Sequence, residues 1–176
     1  MRPMHIVATH EEARALVDGA SFFAVSNCGC RESRGGCARS KPDMCLMLVD
    51  REPSGSGKRT IGRDEVLAHL AYAHEHRLVA RPYRDDATRT RVEGICFCCD
   101  DCCGYFRDMT EACERGSQIE HTNLAACDDC GSCADVCHFG ARTLPGGRLK
   151  LDREACFGCG LCVEVCPTSC IKMLAR

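Results

Sequence analysis

The chain reads as an α+β fold in two parts: a small cysteine-rich, metal-binding N-terminal domain over residues 1–120 and a compact metal-dependent unit over 121–176. Three observations predict it. Nineteen cysteines accompany only six Phe, three Tyr and no Trp among 176 residues. That aromatic supply is thin for a core, and small cysteine-rich units use metal or disulfides in its place. Short apolar runs of strand length are interspersed with segments of helical period that carry recognisable start signals. Finally, the C-terminal stretch repeats itself with a period of twenty-nine, which superposes four cysteines on four others.

In chain order, Thr9-His10-Glu11-Glu12 forms a capping box, with Thr at the N-cap and Glu three residues on. The helix it starts runs through Ala13, Leu16 and Val17 and stops near Gly19. Phe22-Phe23-Ala24-Val25 is short and apolar, which suits a strand. After Leu46-Met47-Leu48-Val49 comes a polar loop, Asp50 to Thr60. Its Gly55-Ser56-Gly57-Lys58 fails as a phosphate loop, because Glu52 stands where glycine is required and Arg59 where Ser or Thr is required. Arg63 to His76 is the clearest helix: Val66, Leu67, Leu70, Ala71 and Ala73 form its apolar stripe, and Asp64 and Glu65 favour its N-terminal dipole. His69, His74 and His76 lack the spacing of a His-Glu-x-x-His site and read as surface residues. Leu78-Val79-Ala80 suits a short strand. Arg81 to Glu93 alternates arginines with Asp85, Asp86 and Glu93, the pattern of a solvated loop or partner-facing edge. A short helix is expected between Gly104 and Gly116, holding Met109 and a lone core thiol, Cys113.

Two cysteine groups punctuate this region. Cys28, Cys30, Cys37 and Cys45 lie among turn-forming Gly29, Gly35, Gly36 and Pro42, as a backbone wrapping a metal requires. Four thiolates at this spacing suit zinc or an iron–sulfur cluster. The second group is Cys96-Phe97-Cys98-Cys99-Asp100-Asp101-Cys102-Cys103. In a strand Cys96 and Cys98 share one face, whereas a helical turn pairs Cys98 with Cys102 and Cys99 with Cys103. Either geometry sends some sulfurs to one site and others to a second site or a substrate. A redox-active dithiol is the alternative.

The C-terminal stretch reads Cys127-x-x-Cys130-x-x-Cys133-x-x-x-Cys137, then, after eighteen residues, Cys156-x-x-Cys159-x-x-Cys162-x-x-x-Cys166-Pro167. Three closely spaced thiolates with a remote fourth are the ligand pattern of [4Fe–4S] cubes, and two runs imply two cubes. The repeat places Gly131 on Gly160, Asp135 on Glu164 and Val136 on Val165. It also places Cys170 on Ala141, which makes Cys170 a packing residue, and His138 on Pro167. The N–H that His138 restores is expected to adjust hydrogen bonding at the nearby cube. Leu149-Lys150-Leu151 and Ile171-Lys172-Met173 are the closing strands, with Pro145-Gly146-Gly147 as a turn.

On this spacing and repeat, residues 124–174 resemble the bacterial two-[4Fe–4S] ferredoxins. The resemblance implies a pseudo-twofold ferredoxin domain with crossed ligation: Cys127, Cys130, Cys133 and Cys166 on one cube, Cys156, Cys159, Cys162 and Cys137 on the other. The whole chain further resembles a little-characterised group of iron–sulfur proteins of anaerobes. The matching residues are Cys28-Gly29-Cys30-Arg31, Cys37, Cys45-Leu46, Leu78-Val79 and Ile95 to Cys103. Where that group has a sixth cysteine in its crowded run this chain has Asp101, so Asp101 or another cysteine is left to complete the ligand set.

The expected function is low-potential electron transfer, with two [4Fe–4S] clusters in the tail and at least one further cluster, or zinc, among Cys28, Cys30, Cys37, Cys45, Cys96, Cys98, Cys99, Cys102 and Cys103. An enzyme with an open cluster or a reducible disulfide fed by the tail is a second reading, and a zinc-stabilised docking module a third. The absence of an acid–base or nucleotide motif favours the carrier. The formal charge is −2, and two cubes with their thiolates add about −4. That excludes non-specific nucleic-acid binding and favours basic faces of redox partners or of a larger oxidoreductase complex. Free thiolates and iron require a reducing cytoplasm; no secretory h-region follows Met1 and no apolar run reaches membrane-spanning length.

Overall fold

A computed structural model describes residues 2–50, 57–108 and 111–176. Strands and helices mix throughout, as the composition implies. The N-terminal part contains β1 (His5–Ile6), α1 (His10–Asp18), β2 (Phe22–Ser26), α2 (Gly29–Ser33), β3 (Cys45–Val49), β4 (Lys58–Ile61), α3 (Arg63–Glu75), β5 (Val79–Arg84), β6 (Val92–Cys98), α4 (Gly104–Asp108) and β7 (Cys113–Glu114). Its strands form one seven-stranded sheet in the order β4-β2-β3-β6-β5-β1-β7. The pairs are antiparallel except β1 with β7.

Helix α1 starts as expected: Thr9 Oγ1 accepts from Glu12 N, and the Glu12 carboxylate accepts from Thr9 N at 2.8 Å. Thr9→Ala should cost about 1 kcal/mol, read as a lower midpoint in anaerobic denaturant unfolding; an unchanged midpoint would show the cap to be replaceable.

Alternation gives the sheet two different faces. Phe23, Val25, Leu46, Leu48, Ile95 and Phe97 point one way and are buried under Ala13 and Val17 of α1 and Val66 and Ala73 of α3. The opposite face presents Cys45, Arg81, Cys96 and Cys98 to a cavity. At its far end Val7 and Val79 pack with Leu161, Val136, Phe139 and Phe157 of the tail.

Several expectations need correction. Lys58–Ile61 is a strand paired with β2, so the expected loop ends earlier; the remainder of that segment, including Gly55 and Ser56, lies outside the described residues, as does Met109. Arg81 and Arg84 are buried in β5, not solvated, and the exposed part of that segment shrinks to the turn between β5 and β6. The expected helix after Gly104 stops at Asp108, and Cys113 enters β7. His69 is buried: it shares the Val66 and Ala73 face of α3, and its ring lies 3.0 Å from the Glu65 carbonyl and 3.1 Å from that of Asp43.

The tail comprises β8 (Gln118–Thr122), α5 (Ser132–Asp135), β9 (Arg142–Thr143), β10 (Lys150–Leu151), α6 (Leu161–Glu164) and β11 (Ile171–Ala175). β11 pairs along its length with β8, and β10 pairs with β9. Strand β8 was not anticipated; its Gln-Ile-Glu-His-Thr sequence carries little apolar signal, and it extends the tail's sheet upstream of residue 121. Among the described residues no helix is long and apolar enough to cross a membrane.

Candidate metal centres

In the tail, each half of the repeat turns through a left-handed glycine before its short helix: Gly131 has φ +82° and Gly160 φ +79°. Only glycine adopts this conformation without steric cost, and the turn brings the flanking sulfurs to one side. Cys127, Cys130, Cys133 and Cys166 line one small cavity together with Leu149, Cys170 and Ile171. Cys137, Cys156, Cys159 and Cys162 line a second, walled by Phe139, Ala141 and Phe157. Burial pushes the Cys159 and Cys162 thiols up to about 12. Such sulfurs stay protonated at neutral pH unless a metal takes the proton's place.

Arg142 and Glu120 escaped the sequence reading. Both are buried, and the Arg142 guanidinium bonds Glu120, Thr122 Oγ1 at 2.6 Å and Cys133 Sγ at 3.3 Å. A buried ion pair that also donates to a cavity sulfur supplies a fixed positive end beside the first set. Cys170 is buried with its Sγ 3.5 Å from Cys166 Sγ. The His138 N–H donates to the Val136 carbonyl at 3.1 Å, closing a turn where a bond toward the cavity was expected. Its ring reaches the N-terminal part instead, with Nε2 3.2 Å from the Arg77 carbonyl and Nδ1 3.2 Å from Asp100.

In the N-terminal part, Cys28, Cys30, Cys45, Cys96, Cys98, Cys102 and Cys103 line one cavity of about 450 Å³. The two cysteine groups, far apart in sequence, therefore share a site. Register explains the encounter: Cys45 on β3 lies opposite Cys96 on β6, and Cys96 lies opposite Arg81 on β5. Hydrogen bonding by Cys96 brings the Cys45 thiol down to about 6, and bonding by Cys103 and Cys96 lowers buried Cys98 as well. Cys96 and Cys103 are raised in turn, chiefly by their bonds with Cys45 and Cys98. Cys37 and Cys99 sit to one side: Cys99 Sγ is 3.5 Å from Cys37 Sγ and 3.6 Å from Cys102 Sγ, a triad within 4.8 Å. Asp101 is exposed beside Cys37, and its carboxylate accepts from the Ala38 N–H at 2.8 Å.

Two arginines make this cavity chemically specific. Arg31 and Arg81 are each only 1% exposed. Arg81 donates to Cys103 Sγ at 3.3 Å and to Glu111, and lies 4.3 Å over the Tyr105 ring. Arg31 Nη2 donates to the Phe97 carbonyl at 2.8 Å, while its Nε and Nη1 and the Nε of Arg81 have no hydrogen-bond partner among the described residues. Burial works against both charges, yet the adjoining cysteine sulfurs, with Glu111 at Arg81, hold each pKa above the ordinary arginine value. Glu111 pairs with Arg81, but among the described residues Arg31 has no carboxylate partner; a buried charge without a counter-charge is strongly destabilising, and neutral thiols supply none. Thiolates around a metal do, so the donor set fits an anionic metal–thiolate centre. Nothing in the sequence marked Arg31 or Arg81 as buried; Arg31 had its adjacency to Cys30 as a signal, and Arg81, fifteen residues before Cys96, had none.

Tyr105, which lines this cavity, belongs to an aromatic cluster with Phe106, Phe139 and Phe157. Phe139 and Phe157 stack at 4.5 Å and line the second tail cavity. One aromatic layer thus separates the N-terminal thiols from the nearer tail cysteines.

Comparison with protein families matches residues 126–170 to the 4Fe-4S dicluster domain, a span that contains the eight cysteines of the two runs and Cys170 as well. The tail is therefore a ferredoxin-like segment. No curated protein matches the chain.

Proposed function

We propose that this iron–sulfur protein, with its ferredoxin-like 4Fe-4S dicluster segment, is a low-potential electron carrier or electron-transfer subunit with at least one further cluster in the N-terminal cavity. In this reading Cys127, Cys130, Cys133 and Cys166 hold one tail cluster and Cys137, Cys156, Cys159 and Cys162 the other. Seven cavity cysteines, with Cys37 and Cys99 beside them, supply ligands for the third centre. The observation that carries the third centre is the pair of buried guanidiniums aimed into a thiol-lined cavity.

Such clusters, when bound, accept and release single electrons without making bonds to a substrate. The chain's own residues set the conditions. Arg31 and Arg81 favour added negative charge at the N-terminal site, which raises its potential relative to a site without them. Arg142 is paired with a carboxylate, Glu120, that is buried with it, and so acts more weakly at the tail, whereas Glu111, the partner of Arg81, is partly exposed. Tyr105, Phe106, Phe139 and Phe157 exclude water between the sites. Redox proteins with basic faces, or a larger oxidoreductase complex in a reducing compartment, are the partners this chemistry suits.

Metal analysis of anaerobically prepared protein tests the proposal. The expected content is about twelve iron atoms per chain, or about sixteen if Cys37, Cys99 and Cys102 anchor a fourth cluster, with no zinc bound by sulfur. About eight iron atoms with one sulfur-bound zinc would overturn the third cluster in favour of a docking module.

A second reading rests on the cavity itself. It contains more sulfurs than one cube binds and places His5, Tyr105 and Glu111 among them, with Glu111 held down to about 2, first by its bond with His5. An enzyme acting on a small molecule there predicts that adding the substrate changes the spectrum of the N-terminal centre and leaves the tail's unchanged.

A further inference from the structure

A second kind of ligand set, one that contains no thiol, bridges the N-terminal part and the tail. His10 opens α1, His74 lies in the last turn of α3, and Glu164 ends α6. Their donor atoms all fall within 4.8 Å of one another. Nδ1 of His10 is 3.0 Å from Glu164 Oε1, and Nε2 of His74 is 3.4 Å from Glu164 Oε2. Ligands about 2.0–2.1 Å from a tetrahedral ion stand roughly 3.3 Å apart, so these spacings fit ligands of one ion as well as they fit hydrogen-bonded side chains.

The tautomer of His10 sharpens the case. Its Nε2 is 2.8 Å from the Leu78 carbonyl, which only accepts, so Nε2 carries the hydrogen. Neutral His10 then presents a bare lone pair at Nδ1. That atom is buried, has no hydrogen-bond partner among the described residues, and faces a carboxylate oxygen that is itself an acceptor. Two acceptors in contact require a cation between them. An N–H bonded to a backbone carbonyl, with the other nitrogen left free, is also the arrangement that metal-binding histidines use.

We propose that His10, His74 and Glu164 bind one divalent cation of the zinc class, with the remaining position open to water because the His74 side chain is 53% exposed. The site closes the junction between the two parts of the chain. The approach is already tight there: a Cβ on Gly160 would stand 3.2 Å from Thr9 Cγ2, one residue before His10. Arg77 Nη1, 3.3 Å from Glu164 Oε2, orients the carboxylate and opposes the cation. The clusters proposed for the tail offset that opposition, since Glu164 lies two residues from both Cys162 and Cys166. Zinc binding here does not depend on how many clusters the N-terminal cysteines hold.

The test uses the iron-loaded full chain, equilibrated anaerobically with Zn²⁺ and compared with His74→Ala, a change at an exposed side chain. The expected result is one zinc per chain whose X-ray absorption shows nitrogen and oxygen neighbours with imidazole scattering and no sulfur at about 2.3 Å. His74→Ala, and independently Glu164→Gln, should weaken that binding at least about 100-fold in competition with a chromophoric chelator, with iron content unchanged. Equal zinc affinity in wild type and His74→Ala overturns the site and leaves a proton on His10 as the cation. Zinc bound through sulfur in both proteins, with about eight iron atoms, counts against the third cluster; it leaves this site to be judged on the nitrogen-bound zinc lost in His74→Ala.

Discussion

Arg81→Met protein is expected to purify with about four fewer iron atoms per chain than wild type while retaining both tail clusters. Methionine keeps much of the volume of the side chain but removes a charge that is 1% exposed and bonded to Cys103 and Glu111. Breaking a buried charge arrangement from one side costs about 3–5 kcal/mol, because the remaining partner is left uncompensated. Here that partner is the proposed anionic centre together with Glu111, so the centre is lost before the sheet is. Arg81→Lys keeps the charge without the planar fork. It should retain iron and lower the potential of one centre only, read by redox titration with electron paramagnetic resonance. Full iron retention in Arg81→Met would sink the assignment of Arg81 as counter-charge.

Gly158→Ala is expected to destabilise the tail by about 3 kcal/mol or more and to release the iron held by Cys156, Cys159, Cys162 and Cys137. Gly158 has φ +83°, and a Cβ built there overlaps the Gln118 carbonyl oxygen on β8. The backbone of the cysteine loop therefore lies against the strand that pairs with β11. The repeat provides an internal control. Asp129 occupies the corresponding position at φ +55°, where its carboxylate accepts from Leu149 N at 2.8 Å. Asn and Asp tolerate this conformation, so left-handed backbone alone does not demand glycine; the close approach at Gly158 does. Gly158→Asn, which eases the φ strain without removing the overlap, should consequently fail as Gly158→Ala does. Wild-type iron content and denaturation midpoint in either variant would refute the argument.

Local signals carried much of the chain. The capping box at Thr9, the helix from Arg63, the strand at Phe22 and the closing strands of the tail each depend on neighbours within a few residues, and each appears where the pattern put it. Arg81, Arg84 and His69 were misplaced for a common reason. Sequence patterns treat charged and polar side chains as solvated, whereas each of these is buried by partners distant in the chain: Cys103 and Glu111 for Arg81, Glu114 and the Pro3 carbonyl for Arg84, the Asp43 carbonyl for His69. Strands β1 and β7 are two residues each and exist because they pair, so no local pattern announces them.

The cysteine spacing and its repeat by themselves determined that the tail is a cluster-binding segment, since ligand chemistry depends on which atoms the chain offers within one turn. The clustering of the upstream cysteines among glycines pointed to metal or redox chemistry there as an expectation. Which of those cysteines meet was decided only by the tertiary structure. Strand register sets Cys45 opposite Cys96 and Cys96 opposite Arg81, and the turn after β6 folds Cys99, Cys102 and Cys103 back toward Cys28, Cys30 and Cys37. The same folding buries two arginines beside the sulfurs and brings His10, His74 and Glu164 together from three helices. Such encounters depend on long-range pairing and on burial, and no window of sequence contains either.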